Sequence, residues 1–129
     1  LGRLFELRKH TGANVLILAG DVHVATVGDI RSSDPRFLLD GEREAIIHQG
    51  VSSSIAYESP SGVSANFVRA LAVREHPVHG GFNGRITELI AERNFSIVSC
   101  QANRVVRFTL FHEGSEVPEQ YYFGASRDV

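Results

Sequence analysis

Methionine and tryptophan are absent from this sequence, and its 129 residues include one cysteine. Without a methionine, the chain is expected to be a processed or excised piece of something longer. A lone Cys100 excludes an intrachain disulfide, and its apolar, strand-like neighbourhood suits a small buried hydrophobe. Excess basic charge is missing too. The formal net charge is -2 and the pI is near 6.3, so no nucleic-acid surface built on phosphate neutralisation is expected. No apolar run approaches the roughly 20 residues of a membrane-spanning helix, and no membrane span is expected. Residues 1–10 are amphipathic and charged, unlike a secretory signal. With 43% apolar and 22% charged residues, what remains is a globular chain of one-domain size, expected to form a single domain over residues 1–129.

What is present centres on Val15-Leu16-Ile17-Leu18-Ala19-Gly20-Asp21-Val22-His23. An unbroken apolar run predicts a central parallel strand covered on both faces. Gly20 offers dihedrals that other residues resist and leaves room for a ligand. Ligands of open α/β sheets gather beyond the carboxyl ends of strands, which makes Asp21 and His23 the first candidates for function. The plainer alternative is that Asp21 forms a turn and His23 is a hydrogen-bonded neighbour.

Ahead of this stretch, Leu1, Leu4 and Phe5 recur at helical spacing, and Gly12 is placed to stop a helix over residues 1–10. Residues 24–30 fit a strand or an irregular crossing, and the segment 31–36 around Pro35 fits an exposed loop. Residues 44–55 read as a strand entering a serine-rich turn. A helix is expected over residues 64–75, with Ser64 as its cap, stopped by Pro77 and Gly80-Gly81. Residues 86–92 read as an amphipathic turn or short helix. Residues 95–100 and 105–111 have strand patterns joined by a hairpin connection, and Tyr121-Tyr122-Phe123 offers a last edge strand.

Six histidines are many for this length. His48 has the setting of a core residue, His10 and His112 look exposed, and His76 and His79 flank Pro77 in a glycine-rich loop where two imidazoles could meet one cation. No CxxC or HExxH cluster occurs. Ser52, Ser53 and Ser54 lack the nucleophile-elbow glycines, so a serine hydrolase built on Ser53 is a distant alternative. Gly80-Gly81-x-x-Gly84 lacks the lysine of a phosphate loop.

Taken together, Gly20-Asp21-Val22-His23-x-Ala25 after an apolar strand, Gly50-Val51-Ser52-Ser53-Ser54-Ile55 at the end of another, and Arg93-Asn94-Phe95 opening a closing hairpin resemble the C-terminal part of the PhoD-like alkaline phosphatases, in the calcineurin-like metallophosphoesterase superfamily. The resemblance spans residues 4–113. It implies an α/β fold that is the C-terminal portion of an αββα sandwich, with a mixed sheet and a closing β-hairpin. It also implies a larger domain around this segment and a dinuclear site of divalent or trivalent ions (Fe, Zn, Mn or Ca). His23 would be a metal ligand and Asp21 a ligand or the residue orienting one, both at the catalytic centre. Two cations about 3.5–4 Å apart can clamp a phosphoryl oxygen and activate water, the logic of phosphoester hydrolysis. The superfamily's earlier motifs, Asp-x-His, Gly-Asp-x-x-Asp and Gly-Asn-His-Asp or Glu, do not occur here. The chain alone is therefore expected to be inactive toward a phosphoester substrate. The rival expectation is a non-catalytic structural or interaction module whose exposed sheet edge pairs with a second copy.

Overall fold

The computed structural model describes residues 1–21, 24–53, 74–101 and 105–124. Helix α1 (Gly2–Thr11) ends where expected, at Gly12, whose left-handed φ of 65° lets its N–H reach the Arg8 carbonyl. After it come β1 (Leu16–Asp21), β2 (Ala25–Ser32), β3 (Ala45–Ser53), β4 (Glu75–Val78), β5 (Phe82–Ile90), β6 (Asn94–Cys100), β7 (Val106–His112) and β8 (Glu119–Phe123). These described strands form two sheets, one ordered β1-β3-β2-β5-β4 and one ordered β6-β7-β8. The larger sheet is mixed: β1 runs parallel to β3, and the other neighbours are antiparallel. The fold is thus mixed α/β, dominated by strands.

Alternation of side chains across the larger sheet sends apolar groups to both faces. On one face Phe5 of α1 and Phe37 of the β2–β3 connection close on Phe82, with ring centroids 5.0–5.8 Å apart, over Ala45 and Ile47. Arg8 locks the helix there through a two-pronged ion pair with Glu42, at 2.6 and 3.0 Å. On the other face Ala25, Val27 and Ile90 meet Phe108, Leu110 and Phe123 of the smaller sheet. The result is a helix layer, a mixed sheet and an antiparallel sheet.

Several expectations need correcting. β1 is not a central strand: among the described residues it pairs with β3 alone, and Leu18 is 53% exposed. Its apolar run reflects partial burial at Val15, Leu16 and Ile17, which pack against the two cores, and residues 18–21 lie exposed at the sheet edge. Gly20 needs no unusual dihedral, because it continues β1 in register with Ser52. Residues 86–90 belong to β5, not to a turn or helix. Backbone pairing with β2 decides this, and a bulge between Val27 and Gly28 disguises the strand's period-2 pattern. Cys100 is exposed, since β6 lies at the edge of its sheet. Of the helix expected over 64–75, residues 64–73 lie outside the described residues, and Glu75 instead begins β4. Pro77 is tolerated there because β4 is an edge strand.

Candidate functional site

Parallel pairing brings the carboxyl ends of β1 and β3 side by side, with Gly20 opposite Ser52 and Asp21 opposite Ser53. Asp21 is exposed, and its Oδ1 accepts the Val24 N–H at 3.2 Å. That contact is the turn-forming role open to an aspartate here. His23 itself lies outside the described residues.

Sequence reasoning gave Asn94 no role beyond opening the hairpin. The structure makes it the tie between the two sheets at this end. Asn94 is 2% exposed. Its Oδ1 accepts the Ser53 N–H at 2.8 Å, and its Nδ2 donates to Ser53 Oγ at 2.6 Å and to the Glu92 carbonyl at 2.7 Å. An asparagine at a strand start is common, so no sequence signal separates this one. Truncating it strands the Ser53 N–H and the Glu92 carbonyl, each worth about 1–3 kcal/mol when buried unpaired. Asn94→Ala is expected to cost about 2 kcal/mol in urea unfolding; a loss below about 0.5 kcal/mol, the scale of a surface change, would refute the tie.

The histidines sort in part as their sequence settings suggest. His10 is exposed, and so are His76 on β4 and His79 in the turn after it. His48 is half-buried with its ring 4.9 Å from Phe123, and burial pushes its pKa down. His112 is not exposed: its side chain is 11% accessible, because it projects into the space between the β5–β6 turn and β8. There its Nδ1 lies 2.6 Å from Glu92 Oε2, and its Nε2 lies 3.6 Å from Glu119 Oε1.

Among the described residues no three His, Cys, Asp or Glu side chains converge as metal ligands would. Among the described residues Asp21 is the one acidic candidate at the ends of β1 and β3, and a single carboxylate with one imidazole is a partial donor set. No helix among the described residues is long and apolar enough to cross a membrane. No family model matches this chain, and neither a curated protein nor a solved structure does.

Proposed function

We propose that this chain is part of a metal-dependent phosphoester hydrolase of the PhoD-like kind, the C-terminal portion of a metallophosphoesterase αββα sandwich. The observation that supports it most is a convergence. Gly20-Asp21, Ser52-Ser53 and Arg93-Asn94, the three separate stretches on which the resemblance rests, meet at one end of the larger sheet. The helix–sheet–sheet layering is also what three layers of such a sandwich would require.

Asp21 and His23 would supply a carboxylate and an imidazole to the metal centre, and the ions would contribute charge stabilisation and water activation. These residues fit such a centre only in part. The isolated chain should therefore hold a cation weakly and leave phosphoesters intact. The probe is Mn²⁺ alone, added to the isotopically labelled chain. Paramagnetic broadening should be centred on the backbone amides of residues 20–24 and should vanish in His23→Ala. Broadening centred elsewhere, or unchanged in that variant, would overturn the ligand assignment. Phosphoester turnover by the chain alone, abolished by chelator, would overturn its predicted inactivity.

A second reading rests on the exposed Leu18. Along β1, Leu16 to Gly20 carry no charge or proline to discourage strand addition, and the one charge, on Asp21, stands at the strand's end. In that reading the chain is a pairing module, and a second copy adds to β1. Leu18→Lys would then convert a dimer to a monomer in sedimentation equilibrium and leave Mn²⁺ broadening unchanged. A native monomer at high concentration would eliminate it.

A further inference from the structure

His112 is held on one side and unanswered on the other. Its Nδ1 faces Glu92 Oε2 at 2.6 Å, and the same oxygen accepts the Gly114 N–H at 2.8 Å. An ionised carboxylate only accepts, so the imidazole hydrogen belongs on Nδ1. A neutral ring then has a bare lone pair at Nε2. That atom is buried and has no hydrogen-bond partner among the described residues, and Glu119 Oε1, 3.6 Å away, is another acceptor. Glu119 is fixed from behind by the Tyr121 hydroxyl, which donates to its Oε2.

We propose that His112 is a proton-operated clasp between strand β8 and the β5–β6 turn: neutral, it holds Glu92 alone, and on gaining a proton it draws in Glu119 as well. The second contact is a charge-assisted hydrogen bond between β8 and the turn that leads into β6, and those two strands pair with β7 and not with each other.

The surrounding groups leave the switching to the imidazole. The hydrogen bond from His112, aided by the Gly114 N–H and opposed by burial, keeps the Glu92 carboxyl below its usual range, so it stays ionised. Burial, then the bond to Glu119, pushes the Tyr121 hydroxyl above its usual range, so it remains a donor. Next to them, Arg93 holds the Glu113 carboxyl down, and this pair keeps both charges. Histidine is the side chain whose charge changes between about pH 5 and about pH 8. His48 also touches β8, through Phe123, but with the opposite sign. Burial disfavours its cation, so acidification would loosen that contact. The clasp stands apart from any phosphoesterase role, although Glu92 belongs to both places through its carbonyl bond to Asn94.

The test is amide hydrogen exchange across β8 at about pH 8 and about pH 5.5, corrected for intrinsic exchange, with ¹⁵N shifts reporting the His112 tautomer. Acidification should raise protection of β8 about tenfold, the equivalent of one charged hydrogen bond. His112→Gln, which leaves His48 in place, should lose that rise. Glu119→Gln presents an amide N–H to the neutral Nε2, so its β8 should be well protected at both pH values. A rise that persists in His112→Gln would overturn the clasp. So would an Nε2–H tautomer at alkaline pH, which can be read even if a variant fails to fold.

Discussion

Phe108→Ala is expected to lower the free energy of unfolding by about 4 kcal/mol, the scale of emptying a buried aromatic site. Phe108 is 1% exposed and carries the contact between the two sheets, touching the cluster of Ala25, Val27, Ile90, Leu110 and Phe123. The more discriminating result is its coupling to Gly50. A methyl group at position 50 would sit 2.8 Å from Phe108 Cε2, closer than carbon atoms tolerate. Gly50→Ala alone should therefore cost about 1–3 kcal/mol, as overpacking does. In the Phe108→Ala background the ring is gone and that cost should vanish. A double-mutant cycle by urea unfolding measures the difference. An unchanged penalty for Gly50→Ala in the two backgrounds would mean that the sheets do not pack through this pair.

Gly28→Ala should destabilise the chain by about 3 kcal/mol, at the upper end of ordinary overpacking. A Cβ there would lie 2.3 Å from the Arg85 carbonyl oxygen, which is backbone and cannot rotate aside. β2 is held by β3 on one side and β5 on the other, so relieving the clash means parting a paired strand. The bulge opposite Gly28 brings the chains together, and Thr87 closes it by donating to the Val27 carbonyl at 2.9 Å. Gly20→Ala is the control. Among the described residues its Cβ would meet only the Ser52 carbonyl oxygen at 3.9 Å, an ordinary contact, and a change within about 0.5 kcal/mol is expected. Equal costs for the two substitutions would remove the close approach at the bulge.

These three glycines show where sequence reasoning reached and where it stopped. Gly20 stood out because it follows an apolar run and precedes Asp21, yet it is the position where a side chain is tolerated. Gly28 and Gly50 sit inside strand patterns, and nothing local marks what crosses them. Likewise His112 looked exposed beside Glu113 and Gly114. Its burial comes from Glu92, 20 residues earlier in the chain, and from β8, which comes later.

Local chemistry determined the Gly12 stop after α1, the strand character of β3, β6, β7 and β8, and the motif at the end of β1. Each follows from periodicity, β-branching or a turn residue within one short segment. Tertiary structure alone decided that β1 lies at an edge, that residues 86–90 extend in β5, and that Asn94 joins Ser53 to the β5–β6 turn. Those outcomes depend on which backbone donors find which acceptors across the chain. Hydrogen bonding between distant strands is written in their pairing, not in either sequence taken by itself.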